Sequence, residues 1–203
     1  MQFNNWLKIT KPVMPVIVVE DVAQALPLAD ALMAGGIHML EFTLRTAAGL
    51  QAIAEVASQR PQAIVGAGSV LDAGMMKAAT DAGARFCVSP GLSPALCDMA
   101  KHLNMPYLPG VATASDVLLA HELGFDLVKF FPAHLAGGLP MLKALAGPFP
   151  DMRFCPTGGI DGENMQQYLQ QKNIPMVGGS WLCTAELLQQ GNFVRITELA
   201  TAC

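Results

Sequence analysis

Apolar residues in this chain gather in short continuous runs, separated by longer stretches in which they recur at helical spacing. The short runs cover 13–19, 38–44, 63–67, 85–89, 105–109, 127–131, 153–157 and 175–178. They have strand length and little apolar–polar alternation, as expected of parallel strands buried on both faces. The intervening stretches, at 22–34, 47–60, 73–82, 94–103, 114–123, 139–145, 162–171 and from 185 onward, are rich in Ala, Leu and Met. Asp21, Asp72, Ser93, Thr113 and Asp161 stand where helix caps or first turns belong, and Gly35-Gly36, Gly83 and Gly124 where helices end. Strand–helix units of roughly 25 residues, eight times over, predict a (β/α)8 TIM barrel. The whole chain, 1–203, reads as one such domain, with residues 3–9 as an extra N-terminal helix plugging the bottom. An open doubly wound sheet has a similar rhythm, but the placement of polar residues described below favours the barrel.

Composition removes several classes of function. Hydrophobic residues make up 52% of the 203 and charged residues 14%, so much of the chain must be buried and disorder is excluded. The net charge is -4, and no basic cluster is present to neutralise phosphates or anionic lipids, which argues against nucleic acid or a membrane surface as partner. No apolar run approaches the ~18 residues of a membrane span. The start, Met1-Gln2-Phe3-Asn4-Asn5-Trp6, has no signal-peptide character, so a cytoplasmic location is expected. The 5 cysteines are odd in number and widely spaced, and the 4 histidines show no ligand spacing; nothing calls for a disulfide framework, a metal or another cofactor.

Against this background one residue stands out. Lys129 lies inside the strand-like run Asp126-Leu127-Val128-Lys129-Phe130-Phe131-Pro132. Burying an ammonium group costs several kcal/mol unless it is paired or neutral. A desolvated lysine is also more readily neutral, and a neutral amine attacks carbonyls to give a Schiff base. The other six lysines lie in helical or turn-like surroundings.

Active sites of such barrels form at the C-terminal ends of the strands. Those ends are Leu40-Glu41-Phe42-Thr43-Leu44-Arg45, Val65-Gly66-Ala67-Gly68-Ser69, Val88-Ser89-Pro90-Gly91, the strand of Lys129, Cys155-Pro156-Thr157-Gly158-Gly159 and Val177-Gly178-Gly179-Ser180. Polar groups and glycines thus collect on one rim. Strand alternation puts Leu127 and Phe131 on the face of Lys129, and Met39 and Thr43 on the face of Glu41. Glu41 is a carboxylate in an apolar strand core, suited to general acid/base work or to pairing with Arg45 or Lys129. Arg45 can grip a carboxylate in two-pronged fashion, with the Ser69 hydroxyl nearby, while Pro90, Phe131 and Thr157 line the mouth. Gly158-Gly159 and Gly178-Gly179-Ser180 follow adjacent strands where barrels often bind phosphate on exposed backbone amides. A substrate with a carbonyl near the lysine and a phosphate at its other end is expected.

Longer blocks carry a resemblance. Pro15-Val16-Ile17-Val18-Val19, Leu40-Glu41-Phe42-Thr43-Leu44-Arg45-Thr46, Ile64-Val65-Gly66-Ala67-Gly68-Ser69, Ser89-Pro90-Gly91-Leu92, Val128-Lys129-Phe130-Phe131-Pro132-Ala133, Arg153-Phe154-Cys155-Pro156-Thr157-Gly158-Gly159-Ile160 and Gly178-Gly179-Ser180-Trp181-Leu182 stand in order along the chain. In these blocks the chain resembles the 2-keto-3-deoxy-6-phosphogluconate (KDPG) and 4-hydroxy-2-oxoglutarate (KHG) aldolases, class I aldolases whose KDPG-cleaving step belongs to the Entner–Doudoroff pathway. The resemblance implies that Lys129 forms the Schiff base, Glu41 is the general acid/base, Arg45 binds the carboxylate, and the two glycine pairs with Ser180 bind phosphate. It also implies a homotrimer and no metal. Two positions depart from the family pattern: Ser69 replaces a threonine, and His134 replaces a glutamate. Alternatives at this level are an aldolase for the galactonate epimer or for an unphosphorylated 2-oxo acid, and a catalytically silent phospho-sugar binding barrel.

Overall fold

The computed structural model describes residues 2–203. Its first half runs through helix α1 (Gln2–Trp6), strand β1 (Val13–Ile17), a 3-10 turn (Val22–Gln24), α2 (Ala25–Ala34), β2 (Met39–Thr43), α3 (Ala48–Gln59), β3 (Ile64–Gly68), α4 (Ala73–Asp81) and β4 (Phe86–Val88). The second half adds α5 (Pro94–His102), β5 (Tyr107–Leu108), β6 (Gly110–Val111), α6 (Ala114–Glu122), β7 (Leu127–Phe130), α7 (Gly138–Ala146), β8 (Arg153–Pro156), α8 (Met165–Leu169), β9 (Val177–Gly179), α9 (Ala185–Gln189) and α10 (Phe193–Thr201). The fold is α/β, and the strands form two parallel sheets, ordered β5-β4-β3-β2-β1-β9 and β6-β7-β8.

Expected and observed elements differ at definite places. The fifth strand, anticipated as one run over 105–109, is two short pieces, β5 and β6, on either side of Pro109. A proline has no N–H to give to a ladder. The chain changes partners there: β5 pairs with β4, β6 pairs with β7, and the Pro109 carbonyl accepts from the Lys129 amide at 2.9 Å. The expectation of eight uninterrupted strands in one sheet is corrected accordingly. A single parallel bridge, Thr157–Gly178, links the free edges of β8 and β9.

Helix ends follow their local chemistry. Asp21 accepts from the Ala23 amide, Asp72 from Met75, and Thr113 forms a reciprocal capping box with Asp116. Ser93 makes no such bond; Pro94 at the first helical position starts α5 instead. Asp161 receives the amides of Glu163 and Asn164, which stabilises a turn, so α8 begins only at Met165. The terminal stretch breaks into α9 and α10 at Gly191, whose φ of 60° lies in the left-handed region.

Side-chain alternation divides the interior into two layers. The outward residues Leu40, Phe42, Val65, Ala67, Val128, Phe130 and Phe154 pack beneath the helices. The inward residues Met14, Met39, Ile64, Phe86, Leu127, Cys155 and Met176 form a second cluster, which Phe3 and Trp6 of α1 close from the N-terminal side of the strands. The edge-on packing of Phe3 on Trp6, centroids 5.3 Å apart, and the contact of both rings with Phe86 make α1 a plug. The helix is shorter than the 3–9 anticipated, ending at Trp6. Closure at this end leaves the opposite end, where the strands finish, for polar groups.

Candidate active site

Lys129 occupies the third position of β7, opposite Gly110 of β6 and Cys155 of β8. Only 3% of it is exposed. Its strand is apolar because both faces are buried, and alternation turns the amine inward with Leu127 and Phe131. Glu41, fully buried on β2, lies opposite Val16 and Gly66. The Lys129 Nζ to Glu41 Oε1 distance is 3.4 Å. The pair therefore joins the two sheets, with one residue contributed by each. The Lys129 amine also stands 5.3 Å from the centroid of the Phe131 ring.

Two glycines of β3 make room for this arrangement. A Cβ at Gly66 would strike the Phe86 ring, and one at Gly68 would strike the Glu41 carboxylate. Burial pushes the Glu41 carboxyl above the ordinary carboxylate range; the charges of Lys129 and Arg45 oppose that push without cancelling it. An acid raised in this way and held beside an amine is suited to taking and returning protons. Cys155 is buried beside the same amine, and burial raises its thiol to about 12, so it stands there as a neutral side chain.

Around the rim, Arg45 extends from the end of β2 and donates its Nε–H to Ser69 Oγ at 2.8 Å. Ser69 follows β3 with a φ of 57°, an uncommon conformation for a residue with a side chain. The hydroxyl and guanidinium together form a donor pair suited to a carboxylate. Pro90 is exposed in the loop after β4, and its carbonyl lies against Gly110 on the rung of Lys129. Ser89 donates to the Gly91 carbonyl at 2.6 Å and lies 2.5 Å from the buried Tyr107 hydroxyl, which fixes that loop from beneath.

The glycine pairs occupy the neighbouring quadrant. Gly158 and Gly159 have φ of 95° and 77°, and among the described residues no acceptor pairs with the amides of Gly159 or Ile160. Consecutive free amides of this kind form an anion-binding concavity. Gly158 lies against the Phe131 ring, Gly159 against His134, and the Gly159 carbonyl accepts from the Asn164 side-chain amide at 3.0 Å. Gly178 has no room for a Cβ beside Thr157, nor has Gly179 beside the Trp181 ring, while Ser180 is exposed. Sequence reasoning put Lys129, Glu41 and the two glycine pairs on strands or at their C-terminal ends, and they stand there in the structure. It missed the space-making role of Gly66 and Gly68, the Ser89–Tyr107 support and Asn164; the Gly-x-Gly spacing on the inward face of β3 was the available signal for the first.

A cavity of about 360 Å³ lined by Phe3, Cys97, Tyr107, Phe125, Leu127 and Arg153 lies on the opposite side, by the plug, and contains neither Lys129 nor Glu41. Its walls include Lys101 and Asp126 as well as Cys97, whose thiol burial pushes up, but no buried amine–carboxylate pair, so chemistry is better supported at the strand ends. Among the described residues no helix is long and apolar enough to cross a membrane, and no group of three or more His, Cys, Asp or Glu is placed to hold a metal ion.

The model of the family described as KDPG and KHG aldolase matches residues 4–199. A KHG/KDPG aldolase of Escherichia coli (strain K12) is 47% identical over 191 residues, covering 94% of this chain and 90% of the relative. A 2-dehydro-3-deoxy-phosphogluconate aldolase of Zymomonas mobilis is 49% identical over 192 residues, covering 93% and 89%. In structure, the KDPG aldolase of Legionella pneumophila, crystallised with pyruvate captured as a covalent carbinolamine intermediate, superimposes with a TM-score of 0.93 at 44% identity, covering 97% of this chain and 95% of that one.

Proposed function

This chain belongs to the KDPG and KHG aldolase family, and from that premise we propose that it is a class I aldolase. It cleaves 2-keto-3-deoxy-6-phosphogluconate to pyruvate and glyceraldehyde 3-phosphate, and 4-hydroxy-2-oxoglutarate to pyruvate and glyoxylate. The observation that carries this reading is the buried Lys129 amine 3.4 Å from a buried carboxylate whose proton affinity burial has raised.

In the proposed reaction the Lys129 amine adds to the C2 ketone and water leaves, giving an iminium. Its positive nitrogen withdraws electrons from the neighbouring bonds. Glu41, through a water, accepts the C4 hydroxyl proton, the C3–C4 pair moves toward the iminium, and the aldehyde departs. The resulting enamine takes a proton at C3 from Glu41, and hydrolysis frees pyruvate and regenerates the amine. Arg45 and Ser69 hold the carboxylate, and Phe131 and Pro90 enclose the pyruvate half. Thr157, Gly158, Gly159, Gly178, Gly179 and Ser180 receive the phosphate end, a role supported by the free amides at 159 and 160 and the close-packed glycines.

The reading extends to the molecule. The two sheets are taken as one ring of eight strands, the fifth interrupted at Pro109, within one domain over 1–203; the Thr157–Gly178 bridge supports closure. The enzyme works as a cytoplasmic homotrimer. Sedimentation at three times the 21.5 kDa chain mass is the expected result for that assembly.

Borohydride reduction in the presence of pyruvate, followed by peptide mass spectrometry, tests the chemistry. A reduced pyruvyl adduct on Lys129 is expected; a label elsewhere, or none, removes the assignment. Pyruvate release from 2-keto-3-deoxy-6-phosphogluconate and from its galactonate epimer, each coupled to lactate dehydrogenase, tests the substrate, with faster turnover of the gluconate form expected.

A further inference from the structure

Two polar atoms buried at the end of β2 have no hydrogen-bond partner among the described residues: Glu41 Oε2 and Thr43 Oγ1. Both residues are almost wholly enclosed, Glu41 at 0% exposure and Thr43 at 1%. Buried polar atoms in native proteins are satisfied in nearly every case, because an unmade hydrogen bond costs more than a made one gains. Two such atoms side by side in a site require a shared explanation.

Their placement supplies it. Thr43 is two residues beyond Glu41 and so shares its inward face, while Leu40 and Phe42 pack outward beneath the helices. Thr43 is paired in register with Gly68 of β3. The space a Cβ would take at Gly68 is filled by the Glu41 carboxylate, which leans up from the rung below. The carboxylate of Glu41 is thereby brought up to the level of Thr43 on the same strand, lying over Gly68 of the neighbouring one. Oε1 faces Lys129, and Oε2 is left for something else.

We propose that Thr43 is a positioning residue which, together with Oε2 of Glu41, holds the water molecule through which Glu41 exchanges protons with the substrate. This rests on the aldolase reading and adds a component to it. In cleavage, the C4 hydroxyl gives its proton to this water, and the water gives one of its own to Oε2. The O–H bonding pair left on the C4 oxygen closes to the aldehyde carbonyl, the C3–C4 pair becomes the C2–C3 double bond of the enamine, and the C2–N π pair moves onto nitrogen. In the pyruvate half-reaction the same water carries a proton between Oε2 and C3. Thr43 contributes one hydrogen bond that fixes where the water sits, and touches no reacting carbon.

Deuterium incorporation into the methyl group of pyruvate, followed by proton NMR in D2O on the full-length enzyme, reads proton transfer; borohydride trapping on Lys129 reads imine formation. The near-isosteric Thr43→Val is expected to slow deuterium exchange by about tenfold or more while trapping stays within about twofold of the parent, since general acid/base steps are sensitive to such placement. Thr43→Ser, which restores the hydroxyl, is expected to recover most of the exchange rate. Unchanged exchange in Thr43→Val overturns the proposal. So does an equal fall of exchange and trapping, or failure of Thr43→Ser to recover exchange while it melts like the parent; each assigns Thr43 to packing alone. Parent enzyme that neither traps nor exchanges pyruvate contradicts the aldolase reading itself, a different and separable outcome.

Discussion

At the scale of single residues, the site depends on what is buried beside what. The Lys129–Glu41 pair sits out of reach of bulk solvent, so the attraction between the two groups is little screened. Glu41→Gln keeps shape and hydrogen-bonding capacity and removes the proton acceptor. It is expected to reduce aldol cleavage about a hundredfold or more while borohydride still labels Lys129; steady-state kinetics beside mass spectrometry measures the split. Gly68 is as constrained as the Lys129–Glu41 pair, because the Glu41 carboxylate occupies the place of its missing Cβ. Gly68→Ala is expected to lower kcat sharply and to cost about 1–3 kcal/mol of stability, the usual penalty for overpacking. A melt and a rate on the same sample check both. A tolerated methyl with full activity would mean that the carboxylate is not held as described.

At the scale of elements, short motifs set the boundaries and long-range packing sets the angles. The capping box of α6 closes with Thr113 accepting from the Asp116 amide and the Asp116 carboxylate accepting from Ala112 and Thr113 at 3.0 and 2.9 Å. Burial alone would raise the Asp116 carboxyl, but the bonds from Ala112 and Thr113 together hold it below the ordinary 3.8. A folded-state value below the unfolded one means a contribution fully present above pH 3.8 and lost as pH falls through the depressed value. Asp116→Asn should therefore cost about 0.5–2 kcal/mol at neutral pH and progressively less in acid; denaturant melts at both pH values test the sign. Helix α1 is a different case. It is only five residues long, so its stability comes from Phe3 and Trp6 inserting under the strands. Trp6→Ala is expected to cost about 3–5 kcal/mol, seen as a lowered denaturation midpoint.

At the scale of the molecule, the active pair spans a seam. Lys129 belongs to the three-stranded sheet and Glu41 to the six-stranded one, so the 3.4 Å contact exists only while the two sheets keep their relation. On one side that relation runs through the chain at Pro109; on the other it runs through the Thr157–Gly178 bridge. Gly178 has no room for a Cβ beside Thr157 Oγ1. Gly178→Ala is expected to lower Tm by about 2–4 °C for each kcal/mol of strain introduced, and to weaken imine trapping on Lys129 although position 178 touches neither member of the pair. Differential scanning calorimetry with trapping measures both. Loss of stability with unimpaired trapping would show that the seam does not govern the pair.

What the amino-acid order determined by itself was local and periodic. The strand-length apolar runs, the caps at Asp72 and Thr113, the glycine stops and the anomaly of a lysine in a greasy strand are all properties of neighbours along the chain, where sterics and hydrogen bonding act within a few residues. The resemblance carried by the longer blocks named the chemistry. The tertiary structure alone decided matters between residues far apart in sequence: that Pro109 divides a strand between two partners, that Phe3 and Trp6 reach Phe86, that Gly66 and Gly68 of β3 vacate space for the Phe86 ring and the Glu41 carboxylate, and that the carboxylate so reaches the level of Thr43. Such facts depend on which rung of one strand faces which rung of the next, and register is set by the packing of the whole core rather than by any segment's own preference.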